Sequence, residues 1–171
     1  LASAAAGAFN QYAEADSDRL MKRTRGRAFA SGALPRNGAW LLAIVALLVF
    51  AVGAAALVVN VTAAAFTLAG ALTYALVYTL MLKRRTAWNI VVGGAAGSFA
   101  VLAGAAAVNP ELGPLAWLLA LVLFLWTPPH FWSLAMYYRQ DYADAGVPML
   151  PVVYGDRIAA RVIFAHTVPL V

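Results

Sequence analysis

The chain is 171 residues long, 64% hydrophobic and only 11% charged, with a net charge of +5 and a mean hydropathy of +0.79. A soluble domain carries about 25% charged residues to cover its surface, so a water-soluble globule is excluded, and apolar stretches of roughly 20 residues that cross a bilayer account for the deficit. No cysteine is present, which removes disulfides, thiolate catalysis and cysteine metal sites, and two histidines, His130 and His166, argue against a zinc site built from protein alone.

In chain order the sequence predicts an all-α protein, a polytopic membrane helix bundle forming one domain over residues 1–171. Helices are expected over 1–20, 40–59, 62–82, 88–108, 114–138 and 158–171, separated by breaker-rich turns such as "NGA", "VNV" and "VNPELGP". The chain starts inside one apolar run, "LASAAAGAFN", and stops inside another, "ARVIFAHTVPLV", so a piece of a longer protein is expected.

The charges are not spread evenly. Arg19, Lys22, Arg23, Arg25, Arg27 and Arg36 follow the first helix, Lys83, Arg84 and Arg85 follow the third, and Arg139, Arg157 and Arg161 follow the fifth. The intervening loops near Asn60 and at "VNPELGP" contain no Lys or Arg, so all twelve bases share one face, which the positive-inside rule makes cytoplasmic. Six of the seven acids lie there too: Glu14, Asp16, Asp18, Asp141, Asp144 and Asp156. Acids contribute little to orientation, so their concentration calls for another cause.

Asn10, Glu14 and Asp18 recur at four-residue spacing and fall on one side of a helix. Two carboxylates near a helix C-terminus repel each other and oppose the macrodipole. Lys22, at i+4, could offset Asp18; a wet helix end is the bland reading. A divalent cation would relieve both penalties, and carboxylate and amide oxygens suit Mg²⁺. Asp141 and Asp144 form a second, i to i+3 pair. Two such groups facing each other could hold metal ions around a polyphosphate, with the "KRTRGR" and "KRR" runs supplying cations to the same anion.

"LWTPPHFW", residues 125–132, puts Pro128 and Pro129 inside an apolar span, where they are expected to remove backbone donors and kink the helix. His130 follows, an ionisable residue within a span and hence a functional candidate. It lies eleven residues, close to three turns, before Asp141 if the helix resumes; a histidine bonded to a freed carbonyl is the alternative. "GGAAG", 93–97, suits close helix packing or a substrate groove. Trp88, Trp126 and Trp132 fit an interface belt or a cavity lining.

Three blocks carry a resemblance: N-x-x-x-E-x-D-x-D-R-x-M-x-R-T-x-x-R from Asn10, "LKRRTAWNIVVGGAAGSF", and "LFLWTPPHFWSLAMYYRQDYADAGVPMLPVV". Together, in order and over nearly the whole chain, they resemble the protoheme IX farnesyltransferases, or heme O synthases, of the UbiA superfamily of intramembrane prenyltransferases. The resemblance implies a nine-helix protein, of which this chain holds the end of helix 2 to the start of helix 7. It also implies transfer of a farnesyl group from farnesyl diphosphate to a vinyl group of heme b, followed by addition of water, to give heme O.

Carried over by motif, Asn10, Glu14 and Asp18 match the first acidic motif, which binds Mg²⁺-diphosphate, and Asp141 and Asp144 match the second. Arg23, Arg27, Lys83 and Arg84 are placed to meet diphosphate oxygens, and His130 sits in the family's Pro-Pro-His block as a heme contact. Glu14 stands where the family usually has Asp, Ala28 replaces a usual Pro, and "SFAVLAGAAAV" lacks the Pro and Trp of "FPPLIGWAAV".

The implied setting is a bacterial plasma membrane with the charged loops cytoplasmic. The implied partners are farnesyl diphosphate, heme b, the lipid bilayer and heme A synthase or cytochrome oxidase assembly factors, with no nucleic acid. The rivals are a prenyltransferase acting on a quinone precursor or a chlorophyll-type acceptor, and a membrane transporter. A transporter calls for ionisable residues at mid-membrane depth, and the spans 40–59, 62–82 and 88–108 contain none.

Overall fold

The structure, a computed structural model, describes residues 1–170. Val171, the last residue of the helix expected over 158–171, lies outside the described residues. Among the described residues every regular element is helical.

Helix α1 (Ala2–Ala13) and helix α2 (Ala15–Leu20) meet at Glu14, whose backbone (φ −101°, ψ 10°) leaves the helical region. The run expected as one helix over 1–20 is therefore broken at its first acid, although Asp18 N–H still donates to Glu14 O at 2.8 Å. The short α3 (Ala28–Ser31) stops at Gly32, whose φ of +83° favours a residue without a Cβ.

Among the described residues, four helical stretches are long and apolar enough to cross a membrane: Gly38–Val58, Val61–Leu82, Asn89–Val108 and Pro114–Tyr137. The first is α4 (Gly38–Val58), capped by Asn37, whose side chain accepts from Trp40 N–H at 3.1 Å. The second begins as α5 (Val61–Leu72), capped by Asn60 through Ala63 N–H at 2.8 Å. Asn60 also donates to Ala106 O at 2.8 Å, tying this end to the following span. From Thr73 to Leu82 the same span continues as a π-helix. The third span is α6 (Asn89–Gly93) followed by α7 (Ala95–Val108), and the fourth is α8 (Pro114–Tyr137), which starts with proline at its first turn, where no N–H is needed. Pro128 and Pro129 are buried within α8, and the helix runs on through them.

Beyond α8 the chain makes α9 (Arg139–Asp144), α10 (Leu150–Tyr154) and α11 (Asp156–Thr167), then one 3₁₀ turn at Val168–Leu170. Helix α5 packs on α7, α7 on α8 and α8 on α11, while α1 lies against α4 and the π-helical segment. Leu42, Val49, Phe50 and Leu57 of α4 and Leu118 and Leu121 of α8 face outward, where lipid would cover them. A separate core of Met21, Trp132, Tyr142, Val147, Met149 and Leu150 closes the charged end. Trp132 and Met149 are fully buried, each gaining roughly 2 kcal/mol from burial.

Candidate active site

A cavity of about 420 Å³ opens at the charged end of the bundle. Its outer wall carries Asn10, Asp18, Arg23, Thr24, Arg27 and Lys83, and its inner wall Tyr74, Tyr78, Trp126, Phe131 and Leu134. One end is therefore ionic and the other aromatic and apolar.

The acids of the first group are buried, Glu14 at 3% and Asp18 at 0% exposure. Each meets a cation from another element. Lys83 Nζ pairs with Glu14 Oε2, and Arg27 Nη1 donates to both oxygens of Asp18, at 3.1 and 2.9 Å. Lys22 does not offset Asp18: Met21 is extended (ψ 128°), so α2 ends before the i+4 turn, and Lys22 is exposed. The chain folds back instead, and Thr24 Oγ1 donates to Asp18 O at 3.0 Å, which fixes the return that brings in Arg27. Arg84 Nη2 donates to the Ser17 hydroxyl and stands outside the cavity wall.

Lys83 reaches Glu14 because of the π-helix. Tyr74 and Lys83 are nine residues apart, and at about 100° per residue an α-helix would put them on opposite faces. The wider i to i+5 ladder, with about 4.4 residues per turn, makes nine residues about two turns. The Lys83 N–H donates to Tyr78 O, five residues back, at 2.9 Å, and Tyr74, Tyr78 and Lys83 all line the cavity.

The second acid group is placed differently. Helix α8 ends at Tyr138 (φ −101°, ψ 28°), and α9 starts after that break. Asp144 is exposed and accepts from Gln140 at 2.7 Å, and Asp141 is half-buried; neither lines the cavity. The residue between them does: Tyr142 is buried, lines the cavity, and its hydroxyl accepts from Arg23 Nη2 at 3.4 Å. Burial raises the Tyr142 phenol above its ordinary value although Arg23 beside it pulls the other way, so it stays neutral. Arg23 also lies over the Tyr138 ring, 5.3 Å from its centroid.

His130 is exposed on α8 and stacks on Trp126, with ring centroids 4.4 Å apart. Trp126 lines the cavity and His130 does not, so the imidazole sits at its rim. The break in helical geometry at Tyr138 also interrupts the three-turn relation expected between His130 and Asp141. Of the other tryptophans, Trp132 is in the core against the edges of Trp88 and His166. Gly93, Gly94 and Gly97 line the cavity and allow close packing. A Cβ on Gly93 would lie 2.6 Å from Tyr78, and one on Gly94 3.2 Å from Thr127 of α8.

Sequence reasoning passed over Tyr74, Tyr78, Thr79, Thr24 and Tyr142. The tyrosines read as ordinary apolar filling, and only Tyr142, set inside the acid pair, carried a positional signal.

The whole chain, residues 1–171, matches the UbiA prenyltransferase family. The chain belongs to that family. This UbiA chain is 57% identical over its full length to protoheme IX farnesyltransferase 2 of Paramagnetospirillum magneticum, covering 59% of that protein. It is 50% identical to the protoheme IX farnesyltransferase of Gloeobacter violaceus and 48% identical to that of Rhizorhabdus wittichii, covering 56% of each. It thus spans somewhat over half the length of these curated relatives. No solved structure matches it.

A divalent cation suits the donor set of the first motif. Glu14 Oε1 is buried with no hydrogen-bond partner, and Asn10 spends its amide nitrogen on Glu14 Oε2 at 2.8 Å and Thr79 Oγ1 at 3.1 Å, which leaves its carbonyl oxygen available. No cluster of three or more His, Cys, Asp or Glu residues occurs among the described residues, so the set is two carboxylates and an amide, in which Glu14 Oε1 is unpartnered while both Asp18 oxygens accept from Arg27.

Proposed function

We propose that the full-length protein transfers a farnesyl group from farnesyl diphosphate to a vinyl group of heme b, giving heme O and diphosphate. The observation that carries this reading is the cavity that is ionic at the charged end and aromatic below, which matches a ligand with an anionic head and an apolar tail. The names of the relatives favour heme as the acceptor. By the positive-inside rule, the ionic end faces the cytoplasm of a bacterial inner membrane.

Arg23, Arg27 and Lys83 would bind the diphosphate oxygens and stabilise the charge that develops as the allylic C–O bond breaks. A bound divalent cation, Mg²⁺ by its taste for hard oxygens and phosphate, would be held by Asn10, Glu14 and Asp18 and would neutralise charge on the same diphosphate. Glu14, Asp141 and Asp144 do not line the cavity, whereas Asn10 and Asp18 do, so the anchoring in this reading centres on those two, with Glu14 behind them. Tyr74, Tyr78, Trp126 and Phe131 exclude water from the farnesyl cation and offer it ring faces. The vinyl carbon takes the farnesyl group in a new C–C bond, and the resulting cation adds water and releases a proton. A porphyrin arriving from the lipid would meet the stacked His130 and Trp126 at the rim.

Membranes containing the full-length protein, given heme b, farnesyl diphosphate and Mg²⁺, should form a product with the mass of heme O. Diphosphate binding without that product would transfer the reading to a quinone-type or chlorophyll-type acceptor.

A further inference from the structure

Thr79 lies inside a membrane span, 5% exposed, and its hydroxyl is committed on both sides. It donates to Tyr74 O, five residues back, at 2.8 Å, and accepts from Asn10 Nδ2 at 3.1 Å. We infer that Thr79 is a positioning residue of the diphosphate site, which turns the carbonyl oxygen of Asn10 toward the cavity and latches the π-helical register that presents Lys83. The role rests on the diphosphate reading above.

An amide has two ends that differ in chemistry and hardly in shape, so its orientation is set by its partners. Thr79 has spent its only proton on Tyr74 O, so it can offer Asn10 only a lone pair. Glu14 Oε2 likewise accepts from Asn10. Both neighbours therefore demand the NH₂ end, and the carbonyl is left for a cation. The same threonine hydroxyl bonds the carbonyl at i−5, the spacing of the π ladder rather than the i−4 spacing usual for a threonine in an α-helix. Thr67, in the α-helical part of the same span, shows the ordinary pattern, bonding Ala63 O at 2.8 Å. One side chain thus joins α1, through Asn10 four residues before Glu14, to the π-helical segment that ends at Lys83.

The test is calorimetric titration of inorganic diphosphate into the full-length protein in detergent with Mg²⁺, for Thr79→Val, Thr79→Ala and Thr79→Ser, with thermal unfolding followed alongside. Valine keeps the shape and alanine adds no bulk; each removes the hydroxyl and should weaken binding about tenfold, as expected for a lost buried hydrogen bond. Serine restores the hydroxyl and should bind within about threefold of the unmodified protein. If valine does not yield folded protein, the alanine and serine pair decides alone. Unchanged binding without the hydroxyl, or equal loss in the serine variant, overturns the positioning role while the diphosphate reading stands. Absence of diphosphate binding by the unmodified protein, with Mg²⁺ present, overturns both.

Discussion

The two acid groups play the same part in sequence, each setting carboxylates at helical spacing, and are opposites in structure. Asn10, Glu14 and Asp18 flank the break between α1 and α2, buried, with Glu14 held by Lys83, 69 residues on, and Asp18 by Arg27, nine residues on. Asp141 and Asp144 sit on the short helix α9, separated from α8 by the break at Tyr138, and Asp144 is in solvent. Spacing along a helix decides which acids share a face. It does not decide whether that face meets a cavity, which depends on where the helix ends. At the second group the cavity receives Tyr142 instead.

The comparison is broken most directly at Asp18. Asp18→Ala leaves Arg27 without its buried partner and removes an anchoring oxygen, so farnesyl transfer should fall by about 10²–10³ while the protein still inserts. Turnover of the purified variant within tenfold of the unmodified protein would place the diphosphate elsewhere.

Next in size is Lys83→Met. It strands the Glu14 carboxylate in a buried site, a change that costs about 3–5 kcal/mol when one partner of a buried pair is removed. Adding Glu14→Gln should return most of the lost stability in detergent unfolding, and none of the diphosphate binding. Recovery of both would make the pair purely structural.

How far these residues could be read from sequence follows from the range of the interactions that place them. The spans needed only local information, because a run such as Trp40–Val58 is apolar on every side and can settle nowhere but in lipid. The acids of the first motif were visible through their four-residue spacing. Their partners were not: Lys22 was the local candidate for Asp18, and Arg27 took its place because the chain leaves the helix at Met21 and turns back. The π-helix was invisible for the same reason. "TYALVYTLML" has no pattern that separates five-residue from four-residue bonding, and one of the contacts that accompany it, from Asn10 to Thr79, spans 69 residues.

A smaller effect tests the inner wall. Gly93→Ala puts a Cβ 2.6 Å from the Tyr78 ring, so the ring or α6 must move. Overpacking of this kind costs about 1–3 kcal/mol, and the displaced Tyr78 should raise the KM for farnesyl diphosphate more than it lowers kcat. The measurement is steady-state kinetics, with Gly104→Ala as the control, since a Cβ there meets nothing within 4 Å. Equal changes in both variants would show that Tyr78 does not touch the substrate.

The smallest effects belong to the second acid group, and their order is itself diagnostic. Tyr142→Phe removes a long, 3.4 Å bond to Arg23 and should cost about 1 kcal/mol or less, a few-fold in diphosphate affinity. Asp144→Asn removes only an exposed charge whose partner is the neighbouring Gln140, and it should change diphosphate affinity by less than about twofold. Metal-dependent binding distinguishes the alternatives. If Asp144→Asn weakens Mg²⁺-dependent diphosphate binding more than Tyr142→Phe does, α9 turns its acids inward when the ligand arrives, and the two groups do form a matched pair. If the tyrosine change matters more, the arrangement seen here is the working one, and the site depends on one carboxylate group with a neutral phenol opposite.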